Sequence, residues 1–117
     1  MFLNELEYKL HGDGEYILTK PLFYLSPKYG KFMVPEGFIT DLASVPRLPV
    51  VYWLFGGKSQ RSAVLHDYLY QTGLVGRKIA DEIFLEAMKS RGVSAWTRYG
   101  MYWGVRLFGW AYYEGVS

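Results

Sequence analysis

Polar and apolar positions alternate early in the chain and change period further on. Glu7-Tyr8-Lys9-Leu10 alternates with the period of two that a half-buried strand shows. His11-Gly12-Asp13-Gly14 is a turn sequence, and Tyr16-Ile17-Leu18-Thr19 is built from β-formers. Pro21, Pro27 and Pro35 punctuate the runs Leu22 to Leu25 and Lys31 to Val34. Proline cannot donate to a ladder, so these runs read as edge strands. Leu6 to Thr40 therefore predicts two hairpins or a small meander, forming a modest antiparallel sheet. His11 falls in a turn with no metal-ligand cluster beside it and reads as a solvated turn residue.

Beyond Ser59, a predicted N-cap, the spacing becomes helical. A first helix reaches about Thr72 and ends at Gly73. A second runs from about Arg77 to Arg91, with Ile79, Ala80, Ile83, Phe84, Ala87 and Met88 as its core stripe and Glu82, Glu86 and Lys89 on the opposite polar face. The short link across Gly73 and Gly76 predicts that these two helices fold back antiparallel. Gly92 stops the second helix and Ser94 caps a third, from Ala95 to about Tyr113. The fold class is α+β: a small N-terminal antiparallel sheet, then a C-terminal three-helix half containing an antiparallel helix pair. At 117 residues the expectation is a single domain, 1–117, with room for a sizeable core.

Between the halves lie FITDLASVPR, Phe38 to Arg47, and PVVYWLFGG, Pro49 to Gly57. Asp41 and Ser44 can close an Asx-turn or cap a helix, and Asp41 is also a candidate active-site carboxylate. Gly56 and Gly57 free the backbone either for a plain turn or to aim carbonyls inward, as a calcium loop needs.

The charge of +2 is small and its basic residues are dispersed, which argues against a nucleic-acid partner. Without cysteine there are neither disulfides nor thiolate metal sites, which fits a reducing compartment or a virion assembled in one. MFLNELEYKL lacks the basic segment and apolar run of a signal peptide, so the first residue is expected to be retained. Eleven Tyr and four Trp suit a small core of large side chains or surfaces that are partly apolar and partly wet. The third helix carries Trp96, Trp103 and Trp110 with Gly100 and Gly104 in a small-xxx-small pattern that admits another backbone. Interrupted by Arg98 and Arg106, it falls short of a membrane span and is expected to pack in the core, lie on a bilayer surface or bind a partner.

The chemistry concentrates between Ala63 and Met88. His66 and Tyr70 share a helix face, while Asp67 lies about 100° round the axis and neighbours Tyr70 at i,i+3. Asp81 sits next to the second helix's apolar stripe, where the antiparallel pairing lets it face His66; an ordinary ion pair with Lys78 is the competing account. A carboxylate bonded to one ring nitrogen fixes the tautomer and leaves the other free to take a proton from a water attacking an ester. A hard cation at Asp67 would stabilise the oxyanion. Ser62, one turn before His66, keeps a serine hydrolase open, although a mid-helix serine usually bonds its own backbone. A metal-dependent phosphohydrolase would need further ligands, and His11 is the one other histidine.

His66-Asp67-x-x-Tyr70 followed by Ala80-Asp81-x-x-Phe84 resembles the phospholipase A2 superfamily, in particular its compact viral and bacterial members. The resemblance implies that His66 activates a water, Asp67 binds calcium, and Tyr70 and Asp81 form the supporting network. Tyr52-Trp53-Leu54-Phe55-Gly56-Gly57 is similar to the glycine-rich calcium loop of that family, with Leu54 where a glycine is usual. The succession TDLASVPR, AVLHDYLY, RKIADEIFLEAM and MYWGVRLFGW also resembles an uncharacterised family of small phage and prophage proteins, a domain of unknown function. That second resemblance implies a phage-related origin and groups Asp41, Ser44 and Arg47 with His66 as supporting residues. The expected function is a phage-associated, phospholipase A2-like hydrolase using calcium. The alternative is a non-enzymatic virion or accessory protein whose aromatic helix binds a partner. Membrane lipid or a phage structural protein is the expected partner, and host cytoplasm or virion the expected location.

Overall fold

A computed structural model describes residues 1–12, 14–40 and 60–113. Asp41, Ser44, Arg47, Gly56 and Gly57 lie outside the described residues. Strands β1 (Tyr8–Gly12) and β2 (Glu15–Leu18) pair antiparallel with Tyr8 opposite Leu18 and Leu10 opposite Tyr16. The turn between them includes Gly14 at φ 73°, which a residue with a Cβ rarely adopts. Strands β3 (Leu22–Ser26) and β4 (Gly30–Val34) form a second hairpin, and β5 (Ile39–Thr40) pairs with β2.

The fold is α+β as expected, but its strand half is divided into a three-stranded sheet β1-β2-β5 and a two-stranded sheet β3-β4. The second hairpin is bounded by Pro21 and Pro35, neither of which has an N–H to continue a ladder. Its outer edge is covered by the first residues of the chain. Leu3 N–H donates to Phe23 O at 2.9 Å, Leu25 N–H to Met1 O at 2.8 Å, and the Asn4 side chain bonds both Pro21 O and Phe23 N–H at 2.8 Å.

Helix α1 spans Gln60–Thr72, α2 Arg77–Ser90 and α3 Ala95–Phe108, with a 3₁₀ turn over Gly109–Tyr112 continuing α3. Gly73 ends α1 at φ 61°, its N–H bonded to Leu69 O. Gly92 ends α2 at φ 77°, while Val93 N–H donates to Met88 O, the Schellman pattern. Ser94 caps α3 by accepting from Thr97 N–H. The third helix thus leaves α geometry at Gly109, earlier than its apolar pattern predicts, and finishes as a 3₁₀ turn, as helix C-termini often do.

The core joins both halves. Leu18, Leu22, Tyr24 and Val34 from the strands pack with Val64, Leu65 and Leu69 of α1 and Ala80, Ile83 and Ala87 of α2. A second cluster puts Met101 and Val105 of α3 against Ala63, Phe84 and Met88. Each of the Val, Leu, Ile, Phe and Met side chains among them contributes roughly 1.5–3 kcal/mol when removed from water. These two inward positions on α3 settle its orientation: its tryptophans point out. No backbone approaches Gly100, since a Cβ there would meet nothing within 4 Å. At Gly100, then, the small-xxx-small pattern is not used for close packing. Among the described residues, no helix is long and apolar enough to cross a membrane.

Candidate functional site

Three helices converge on one carboxylate. The α1–α2 hairpin sets Asp81 opposite the face of α1 that bears His66 and Tyr70, and the packing of Met101 and Val105 turns Arg106 of α3 toward the same point. Asp81 is 0% exposed and His66 is 4% exposed. His66 Nε2 lies 2.8 Å from Asp81 Oδ1, Tyr70 Oη donates to that oxygen at 2.6 Å, and Arg106 Nη1 donates to Oδ2 at 2.8 Å. Arg77, one turn before Asp81, brings a second guanidinium to 3.8 Å from Oδ2. It also donates to Val105 O and Arg106 O, holding the end of α3 in place. The partners of Asp81 are thus not Lys78, which is exposed, but two arginines, a tyrosine and the histidine.

Packing orients the imidazole as well. Its ring stacks on Phe84 at 4.5 Å and meets the Tyr70 ring at 4.1 Å, as expected where helical side chains lean back over the preceding turn. A carboxylate only accepts, so Nε2 carries the hydrogen and Nδ1 presents its lone pair. Among the described residues Nδ1 has no hydrogen-bond partner. Ser62, one turn earlier on the same face, is also fully buried, and its hydroxyl has no partner among the described residues. A buried hydroxyl left unpaired, as at Ser62, is a place where an ordered water can bind.

Burial pushes the Tyr70 hydroxyl well above the ordinary tyrosine range, and its hydrogen bond to Asp81 adds to the effect. Tyr70 therefore stays protonated and keeps donating. Gly109 makes room for it: a Cβ there would stand 2.7 Å from Tyr70 Oη.

Asp67 lies outside this network. Thr40 Oγ1 donates to its Oδ2 at 2.7 Å, and Gln71 Nε2 bonds both oxygens at 3.2 and 3.1 Å. The carboxylate thereby ties β5 to α1. Asp67 and Thr40 place two hard oxygens together, as a calcium site requires, but such a site needs about six to eight. Among the described residues no three His, Cys, Asp or Glu side chains converge.

Sequence reasoning missed Arg77 and Arg106. Arg77 carried a signal, its i,i+4 spacing from Asp81. Arg106 carried a weaker one, a charge within an apolar helix. Trp96 and Trp103 of α3 and Trp110 of the 3₁₀ turn are exposed and take no part in the Asp81 network.

The chain belongs to the family described as protein of unknown function DUF1353, whose family model matches residues 16–105. It is similar to the uncharacterized protein y4jT of Sinorhizobium fredii (strain NBRC 101917 / NGR234), with 30% identity over 99 residues covering 77% of this chain. The chain spans 30% of the length of that relative. No solved structure matches it.

Proposed function

We propose that this protein is a phage-associated, phospholipase A2-like hydrolase in which His66 activates water to cleave an ester of membrane lipid. The observation that carries the reading is the imidazole itself, held through Nε2 by a fully buried carboxylate while Nδ1 has no partner among the described residues. Nδ1 takes a proton as the water oxygen bonds to the ester carbonyl carbon. It then returns that proton to the alkoxide as the carbon–oxygen bond of the leaving group breaks. Asp81 fixes the tautomer and steadies the imidazolium formed in between; Tyr70 and Arg106 hold Asp81. A calcium ion held by Asp67 with carbonyls of Gly56 and Gly57 would supply positive charge for the oxyanion. Asp41, Ser44 and Arg47 are proposed as supporting residues, and host cytoplasm or virion as the location.

The test is fatty-acid release from mixed phospholipid vesicles, in calcium and in chelator, with His66→Gln alongside. Release should fall by about 10²–10⁴-fold in the variant. Release unaffected by His66→Gln, or none under any condition, sinks the reading.

A second reading is favoured by the outward tryptophans of α3 and by the full set of donors on Asp81. In it the protein is a non-enzymatic virion or accessory component, the network is a structural tie, and α3 binds a phage structural protein. His66→Gln would then cost about 1–3 kcal/mol of stability, in a protein that releases no fatty acid.

A further inference from the structure

Ser62 is a buried polar side chain that the Asp81 network leaves unused. Among the described residues Ser26, Thr40, Ser62, His66 and Asp81 are the polar side chains that are buried. The other four are hydrogen-bonded through their side chains, but the Ser62 hydroxyl has no partner. A hydroxyl buried in this way costs free energy that an apolar residue of similar size, such as alanine, would not. Its chain neighbours on α1, Ala63, Val64 and Leu65, are buried and apolar and offer no side-chain partner.

A second polar atom without a partner belongs to the same face of α1. His66 follows Ser62 by four residues, which sets their Cβ atoms about 5–6 Å apart along the helix. Helical side chains lean toward the N-terminus, so the imidazole leans over the turn that carries Ser62. Its Nε2 is held by Asp81 at 2.8 Å, and the rings of Phe84 and Tyr70 pack against it at 4.5 and 4.1 Å. The polar atom left over is Nδ1, which accepts and does not donate once Nε2 carries the hydrogen. Ser62 can donate and Nδ1 can accept, yet no hydrogen bond joins them. One water bonded to both would bridge a gap of about 4.5–5.5 Å, which matches one helical turn of separation. Two polar partners are enough to hold a buried water.

We infer that Ser62 holds an ordered water against His66 Nδ1, the water accepting from Ser62 Oγ–H and donating one of its hydrogens to the imidazole. Ser62 is then a positioning residue. It fixes the water oxygen on the lone-pair side of the ring, while Asp81 fixes the ring from its other nitrogen. One lone pair of the water stays free. In the hydrolysis proposed above this is the water that His66 deprotonates, so the catalytic consequence rests on that reading; the water site itself does not. Ser62 keeps its own hydrogen throughout and forms no bond to carbon.

The test compares the full chain with Ser62→Ala, which removes the hydroxyl alone from a helix and should stay folded by circular dichroism. A crystal structure of the wild type should show a water within about 2.5–3.2 Å of both Ser62 Oγ and His66 Nδ1, and the variant should lose it. In nitrogen NMR of the imidazole, Nδ1 should move downfield in Ser62→Ala as its lone pair loses a hydrogen bond, while the Nε2–H signal stays in place. Fatty-acid release from phospholipid vesicles should fall on the order of ten- to a hundredfold at saturating lipid, with KM unchanged. Wild-type density without that water, Ser62 Oγ bonded to a protein group, or one Nδ1 position in both proteins would overturn the inference. Release that Ser62→Ala leaves unaltered would overturn the positioning role. Release absent from the wild type, with the water and the Nδ1 movement as expected, would instead sink the hydrolase reading and uphold the water site, so the two failures are told apart.

Discussion

Two carboxylates on α2, Asp81 and Glu86, do different work. Asp81 points among the helices, is fully buried, and gathers a histidine, a tyrosine and two arginines. Glu86 points at the β3–β4 hairpin and accepts from the hydroxyls of Tyr24 and Ser26 at 3.0 and 2.8 Å. Ser26 in turn accepts from Lys28 and Tyr29 N–H in the hairpin turn, and Glu82 takes the Tyr29 hydroxyl. Glu82 and Glu86 are therefore not on a solvated face, as the sequence pattern suggests, but fasten α2 to the sheet. A carboxylate whose partners are neutral hydroxyls is a tie. The one at Asp81 also compensates two cations and orients a base, and removing it strands charge in the interior.

The largest expected effect tests that contrast. Asp81→Ala should cost about 3–5 kcal/mol in urea unfolding, because Arg106 and Arg77 lose their counter-charge. Glu86→Gln should cost roughly 1 kcal/mol, since an amide can still accept one of the two hydroxyl bonds. Equal losses would mean that both carboxylates are ties and that Asp81 has no special burden.

Next in size is the space reserved for Tyr70. Gly109→Ala places a methyl against Tyr70 Oη and should cost about 1–3 kcal/mol by displacing it from Asp81. Gly100→Ala, where nothing stands within 4 Å, should instead raise stability by about 0.5–1 kcal/mol through helix propensity. Urea midpoints of the two variants moving in the same direction would contradict the packing described around Tyr70.

The smallest effect is in the alkaline range. The hydroxyls of Tyr70 and Tyr24 are both raised, chiefly by burial and further by Asp81 and Glu86. Unfolded tyrosine titrates near about pH 10, so the unfolded chain loses these protons first. Stability from this source is whole below that pH and falls as pH rises toward the folded values. Tyr70→Phe should lower the urea midpoint at neutral pH and make its decline above about pH 10 shallower. An unchanged alkaline slope would show that Tyr70 is not held by the site.

Much of the framework was legible because it is local. The Gly73 and Gly92 stops, the Ser94 cap and the apolar stripe of α2 follow from residues within a turn or two of one another. The approach of Asp81 to His66 was legible for the same reason, since a link across Gly73 and Gly76 leaves two helices little choice but to fold back. The division of the strands into two sheets was not legible, because it depends on residues 1–4 laying themselves along β3 from some twenty positions away.

By itself the sequence determined the α+β order, the helix boundaries near their glycines and the pairing of α1 with α2, all consequences of backbone propensity and periodicity. Only the tertiary structure decided which side of α3 faces inward. That choice follows from Met101 and Val105 meeting Phe84 and Met88; it sends Arg106 to Asp81 and the three tryptophans to the surface. An apolar helix has no polar face to announce its orientation, so the decision lay in the shape of the core it completes.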